Sequence, residues 1–120
     1  MPRVADYGII TDGKITLTST APGDFQEVKF NLDSPHVGSR SILAFNLDLV
    51  DADDFKFNVK VNGTQVFNAR YSGGDFFTIH EVIDANLLHA QGNVIQFKAT
   101  SSNSGSVRIA DIVLWYQHDI

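Results

Sequence analysis

The fold is decided by residues Ile79–Gln117, which read IHEVIDANLLHAQGNVIQFKAT, then SSNSGS, then VRIADIVLWYQ. Asp84 can cap a short turn over Ala85–Leu88, and Gly92 can adopt the left-handed angles that end it. Asn93 then begins a strand of apolar, β-branched and aromatic residues, which leads into the polar run and a last strand. This order of strands, turn and polar loop is typical of a closed antiparallel sandwich.

The rest of the chain alternates with a period of two, as half-buried strands do. The clearest case is the segment 55–61, in which Phe and Val alternate with Lys and Asn. Asn62-Gly63 follows it, and this dipeptide between alternating runs indicates a type I′ hairpin, because both central residues need positive φ. We therefore expect the segment 55–61 to pair with the segment 64–68.

The pattern predicts eight or nine strands and no helix longer than two turns. The strands are 7–11, 14–20, 25–33, 41–49, 55–61, 64–70, 76–83, 93–100 and 106–117, and the main breaks are 12–13, 21–24, 34–41, 51–54, 72–75 and 101–105. Such spacing predicts an all-β fold, an antiparallel jelly-roll β-sandwich, with residues 1–120 as a single domain. The expected core is Ile15, Leu17, Val28, Phe30, Leu43, Phe45, Leu47, Phe57, Val59, Ile95, Phe97, Ile109, Ile112 and Leu114.

The last strand contains a break in this alternation. Val107 and Ile109 share one parity, whereas Ile112 and Leu114 share the other. One extra residue near Ala110-Asp111 restores a common face, so we expect a β-bulge there. Trp115 then faces away from the core, either packed under a loop or exposed for contact.

The closing segment has a recognisable set of packing and turn residues: Val82-Ile83, Leu87-Leu88, Gly92-Asn93, Val94-Ile95, Gly105 and Ile109-Ala110-Asp111-Ile112. This set resembles the last strands of galactose-binding-like jelly rolls, a superfamily that includes many carbohydrate-binding modules of bacterial glycan-active proteins. In that superfamily a Leu-x-x-Gly-x-Asn turn precedes the penultimate strand, and here the spacing before the glycine differs by one residue. The resemblance implies the fold and carries no ligand residue with it.

Composition excludes several classes of function. Nine Lys and Arg against fourteen Asp and Glu give a formal charge of −5, which disfavours nucleic acid and anionic membranes as partners. The chain contains no cysteine, so disulfides, thiolate metal sites and cysteine nucleophiles are excluded. No segment has the ~20 apolar residues of a membrane helix or the core of a signal peptide. As written, the chain is expected in the cytoplasm unless it is an excised domain.

The segment Asn68–Phe76 is the predicted ligand site. Arg70, Asp75 and Asn68 offer the hydrogen-bonding groups that sugar hydroxyls need, and Tyr71 offers an aromatic ring. The two glycines between Tyr71 and Asp75 would let the backbone approach a ligand closely. The alternative is a plain hairpin in which Arg70 and Asp75 pair at the surface while Tyr71 packs beneath them.

Asp48, Asp51, Asp53 and Asp54 raise the question of structural calcium, which prefers carboxylate and carbonyl oxygens. The group has no EF-hand spacing, and Asp is common in turns simply because it caps them. No metal ligand is therefore assigned. The four histidines at 36, 80, 89 and 118 are also too scattered to predict a metal site.

The sequence contains no catalytic motif. Ser102-Asn103-Ser104-Gly105 is not a nucleophile elbow, because no helix follows it, and no glycine-rich phosphate loop precedes a helix. We therefore expect a non-catalytic carbohydrate-binding module or small lectin, a homo-oligomer whose partner is a glycan and which needs no cofactor. The alternative is a structural or assembly subunit, such as a capsid, tail or scaffold component, whose outward aromatic residues form subunit contacts.

Overall fold

The computed structural model describes residues 3–18, 25–36, 40–101 and 104–119. Seven strands and one short 3₁₀ turn follow one another in the chain: β1 (Arg3–Thr18), β2 (Phe25–Phe30), β3 (Arg40–Val61), β4 (Thr64–Gly73), β5 (Phe76–Asp84), the 3₁₀ turn (Ala85–Leu87), β6 (Asn93–Ser101) and β7 (Ser104–Asp119). The predicted break at 21–24, residues 19–20 of a predicted strand, and parts of the breaks at 34–41 and 101–105 lie outside the described residues.

The strands form two antiparallel sheets. Sheet A has the order β1-β7-β3-β5, and sheet B has the order β2-β6-β3-β4. The strand β3 belongs to both sheets, since its first half pairs with β5 and β7 and its second half pairs with β4 and β6. If β3 is counted once in each sheet, the sandwich has eight strands. This confirms the predicted antiparallel jelly-roll sandwich.

The predicted strands 41–49 and 55–61 are one continuous strand rather than two, and the break at 51–54 is a bend within it. Asp51 and Asp54 both adopt φ of 50° there. The ladder with β7 continues through the bend from Val50 to Asp53 with a shift in register. The predicted strands 7–11 and 14–20 likewise merge into β1, because pairing with β7 resumes at Lys14 after an irregular stretch.

The turns form as the sequence predicts. Asn62 and Gly63 adopt φ of 50° and 85°, and Val61 pairs with Thr64 across them. The carboxylate of Asp84 accepts a hydrogen bond of 3.0 Å from the backbone N–H of Asn86 at the start of the 3₁₀ turn. Gly92 adopts φ of 74°, in the left-handed region that ends such a turn.

The core lies between the two sheets and confirms most of the expected residues. Ile15, Val28 and Phe30 are only partly buried against it, since they lie on β1 and β2 at the sheet edges. The structure adds large side chains that the sequence did not single out, including Phe55 and Leu49. Deletion of a buried Phe here would cost about 3–5 kcal/mol of the free energy of unfolding. The largest fully buried side chains are Phe45, Phe55, Phe57, Phe97, Leu17, Leu43 and Leu47.

The predicted bulge in β7 is present. Ala44 and Asn46 of β3 pair with Val113 and Ala110, so two residues of β7 lie opposite one residue of β3. Asp111 adopts φ of 53° within this bulge. Consequently β7 changes phase, and Trp115 points outward with 48% of its surface exposed.

Candidate functional site

The predicted ligand residues of the 68–75 segment lie on β4 and on the turn that follows it. Asn68, Arg70 and Asp75 are exposed. The Arg70 side chain pairs with Asp54 rather than with Asp75, at 2.9 Å between its Nε and the carboxylate Oδ1. Successive residues of a strand point to opposite faces, so Arg70 and Tyr71 face opposite sides of sheet B.

Tyr71 packs inward. Its ring stacks on Phe57 at 6.1 Å and contacts Phe77 at 5.5 Å between ring centroids. Burial raises the pKa of its hydroxyl above the ordinary value of 10.0. The structure therefore does not bring the Tyr71 ring face and the Arg70 guanidinium together on one surface. Of the four residues, only Asn68 and Arg70 share a strand face.

A different surface, the outer face of sheet A, brings two exposed aromatic residues together. Tyr7 on β1 lies opposite Trp115 on β7, which lies opposite Ile42 on β3, which in turn lies opposite Val82 on β5. All four side chains are 41–56% exposed. They form one apolar row across all four strands of the sheet.

Tyr7 and Trp115 form the aromatic part of this row, and we call them the aromatic pair. Their ring centroids are 5.1 Å apart, and the ring planes are inclined at 42°. Since both rings are about half exposed, the pair presents apolar surface to solvent on a face with no covering strand among the described residues.

A shallow depression adjoins the aromatic pair. Arg40, Gln117 and Asp6 line it together with Trp115 and Ile42. The Asp6 carboxylate also accepts a hydrogen bond of 2.8 Å from the backbone N–H of Tyr7. Within the described part of the chain no ion pair involves the Arg40 guanidinium. An apolar platform is therefore bordered by groups that hydrogen-bond in fixed planes.

The same face becomes polar along the strands. Asn46 lies four residues from Ile42 on β3, roughly 13 Å away at about 3.3 Å per residue. Its side-chain amide donates to the Asp111 carboxylate at 2.8 Å, and its carbonyl accepts from the Thr78 hydroxyl at 3.0 Å. A second pocket adjoins Asn46 and Asp111. It is lined by Lys14, Asn46, Asp48, Phe76, Arg108, Ala110 and Asp111.

Sequence reasoning identified Trp115 as an outward residue but missed its neighbours. Tyr7 and Trp115 are 108 positions apart, and only the pairing of β1 with β7 places them together. The sequence did contain one signal for this polar surface. Asn46 and Asp48 alternate with large apolar residues in one strand, so both lie on its solvent-facing side.

No metal centre is found in the described ranges. There, no three His, Asp or Glu side chains are placed to hold one ion. Asp54, one of the residues considered for calcium, is engaged by Arg70. Within the same ranges no helix has the length and hydropathy needed to cross a membrane.

Comparison with known proteins gives a fold likeness. No protein-family model matches the sequence, and no curated protein matches it either. A family 35 carbohydrate-binding module from Clostridium thermocellum aligns with a TM-score of 0.58 and 14% identity, over 91% of this chain and 97% of that one. The family 29 module CBM29_1 from Piromyces equi gives a TM-score of 0.58 and 15% identity, over 96% and 91%.

Parts of larger proteins share the fold as well. A β-porphyranase of glycoside hydrolase family 86 from Bacteroides plebeius aligns with a TM-score of 0.60 and 18% identity, covering 88% of this chain. The present chain spans only 20% of that enzyme. At these identities the likeness establishes the jelly-roll architecture that carbohydrate-binding modules share.

Proposed function

We propose that this chain is a non-catalytic carbohydrate-binding module that holds its glycan on the outer face of sheet A. The observation that carries the proposal is the aromatic pair, Tyr7 and Trp115, exposed side by side at 5.1 Å. Sugar rings have apolar C–H faces, so a flat aromatic surface gives them area to bury while their hydroxyls remain free for hydrogen bonds.

The polar groups around the pair supply those hydrogen bonds. Arg40 can give a two-pronged hydrogen bond to neighbouring hydroxyls, and Gln117 can both donate and accept. Both residues line the depression beside Trp115. This arrangement combines stacking with planar hydrogen bonding on one surface, which the 68–75 segment does not.

The spacing on β3 supports an oligosaccharide rather than a monosaccharide. The aromatic pair and the hydrogen-bonded Asn46 lie on one face but in rows roughly 13 Å apart along the strands. A single sugar ring cannot contact both rows, whereas a chain of several sugars running along the strands can. The proposed ligand is therefore a linear glycan.

The structurally similar proteins support carbohydrate binding as the class of function, since two of the three described above are carbohydrate-binding modules by name. The third is part of a glycoside hydrolase, an enzyme that acts on glycans. A non-catalytic role accords with the absence of a catalytic motif in the sequence.

The single tryptophan makes a direct binding test possible. Trp115 is the only Trp in the chain, so its fluorescence reports on the proposed site alone. Titration with a panel of soluble oligosaccharides should shift this emission for at least one of them. We expect Trp115→Ala and Tyr7→Ala each to weaken binding, measured by calorimetry, about tenfold or more.

Phe25 provides the matched control, because it is an equally exposed aromatic residue (51%) on β2 of the other sheet. Phe25→Ala should bind the glycan as the wild type does. If no glycan in the panel binds, and light scattering instead shows a large particle that Trp115→Ala dissociates, the chain is an assembly subunit and the proposal fails.

A further inference from the structure

A jelly roll of two sheets has four edge strands, and exposed edges invite pairing with other strands. Three of the four edges in this structure carry the features that normally prevent it. The edge β1 has two register shifts, β2 has only six residues and includes a lysine, and β4 contains an extra residue at Val66 where its register slips.

The fourth edge, β5, has none of these features. All nine residues from Phe76 to Asp84 pair with β3 without a register shift. The strand contains no Lys, Arg, Pro or Gly. Among the described residues no strand pairs with its other side. Phe76 and Val82 also expose 63% and 56% of their surfaces there. A regular edge of this length, with no bulge, lysine or proline, is suited to accept another strand.

We propose that β5 pairs antiparallel with β5 of a second copy of this chain. A two-fold axis through His80, the middle residue, pairs all nine residues, whereas any other register leaves some unpaired. In this register Glu81 lies opposite Ile79 of the other copy, and Asp84 lies opposite Phe76. Each carboxylate therefore faces an uncharged side chain, and sheet A continues across the dimer as eight strands.

The proposed dimer orients the outer faces of its two copies of sheet A. Residues that face each other in an antiparallel pair point to the same side of the sheet. The outer faces of both copies of sheet A therefore look in one direction, and the two aromatic pairs become a bivalent surface. This last step rests on the proposed function, whereas the pairing of β5 does not.

Disulfide trapping tests the pairing, because the wild-type chain has no cysteine of its own. In the proposed register the two copies of residue 80 lie about 4.5–5.5 Å apart between Cα atoms, within the range that a disulfide spans. His80→Cys should therefore form a covalent dimer under mild oxidation.

Val82→Cys is the control on the same exposed face of β5. Its two copies would lie roughly 13 Å apart, beyond disulfide reach, so its cross-linking should be at least roughly tenfold slower. Equal rates at the two positions, or a faster rate at residue 82, would overturn the proposal.

A second measurement uses the reversible assembly without any sugar. Sedimentation of the wild type should show a species of twice the 13.2 kDa chain mass at high concentration. His80→Lys places two like charges directly opposite each other and should raise the dimer Kd roughly tenfold. Gln65→Lys adds the same charge to the edge strand β4 and should leave the Kd unchanged. A wild type that stays monomeric, or a Kd that His80→Lys does not change, would refute the β5 dimer.

Discussion

Asn62 and Asn93 are joined by a hydrogen bond of 3.0 Å from the side-chain amide of Asn62 to the side-chain oxygen of Asn93. The same Asn93 oxygen accepts from the backbone N–H of His89 at 2.8 Å, and Asn62 accepts from the backbone N–H of Val94 at 2.8 Å. Asn93 is fully buried. The pair therefore ties the β3–β4 hairpin to the loop that precedes β6.

The first prediction concerns this buried amide. Asn93→Ala removes the acceptor of the His89 backbone N–H and the donor to the His89 carbonyl, and each polar group left unsatisfied costs about 1–3 kcal/mol. We expect a loss of ~2–4 kcal/mol in the free energy of unfolding, measured by urea denaturation. Asn86→Ala, at an exposed position in the 3₁₀ turn, should change it by less than about 0.5 kcal/mol. Equal effects of the two substitutions would contradict the structural role of Asn93.

The second prediction compares two glycines with similar backbone angles. Gly105 and Gly63 adopt φ of 91° and 85°, so alanine at either position costs about 1–2 kcal/mol. At Gly105 an added Cβ would also clash with the backbone oxygen of Asp51, whereas at Gly63 nothing lies within 4 Å. Gly105→Ala should therefore destabilise the protein by at least ~2 kcal/mol more than Gly63→Ala, measured by thermal unfolding. Similar melting temperatures for the two variants would show that Gly105 of β7 is not in close contact with the bend of β3.

The third prediction follows from the raised pKa of Tyr71, which has burial as its cause. The folded protein holds this proton more tightly than the unfolded chain. The stabilisation is therefore complete below about pH 10 and is lost as pH rises through the folded-state pKa. Tyr71→Phe keeps the ring contacts with Phe57 and Phe77 but removes the titrating group. Between about pH 8 and pH 11, the urea midpoint should fall less for Tyr71→Phe than for the wild type. Parallel losses in both proteins would mean that Tyr71 titrates as it does in the unfolded chain.

The fourth prediction separates the 68–75 segment from the outer face of sheet A. Arg70→Ala removes an exposed ion pair with Asp54, so the stability should change by no more than about 1 kcal/mol. Glycan affinity, measured by calorimetry, should stay at the wild-type value if the ligand binds at the aromatic pair. A loss of tenfold or more for Arg70→Ala, with Trp115→Ala unaffected, would place the ligand on β4 as the sequence predicted.

The fifth prediction concerns calcium at residues 51–54. Arg70 already pairs with Asp54, and no three acidic side chains converge within the described ranges. The melting temperature should therefore be the same in chelator and in millimolar calcium. A rise with calcium concentration would reveal binding to the native state alone, and its loss in Asp51→Asn would assign it to this bend.

The fold was predictable from local patterns because alternation and turn chemistry act over a few residues. Asn62-Gly63 and the bulge at Asp111 could both be assigned from neighbouring residues alone. The bend at 51–54 could not, because an Asp-rich break looks alike whether the chain reverses or continues into a second sheet. What decides it is the ladder with β7, whose partners lie more than fifty residues away.

The candidate site was less predictable for the same reason. The aromatic pair depends on the order and register of β1 and β7, which no local pattern contains. The residue type of Tyr71 suits a ligand contact and a packed ring equally, and only its position on β4, which turns the ring toward Phe57, distinguishes the two. Chemically suitable residues can be recognised one at a time, but their convergence requires the strand pairing.

The passage of β3 from one sheet to the other has a mechanical consequence. A sandwich whose sheets are joined only by loops can open like a book, with each sheet intact. Here the two sheets share the continuous strand β3, whose backbone is hydrogen-bonded to β4, β5, β6 and β7. Neither sheet can separate without disturbing the strand pairing of β3 in the other sheet. The amides of β3 should consequently be the last to exchange with solvent, and the protein should yield as one cooperative unit.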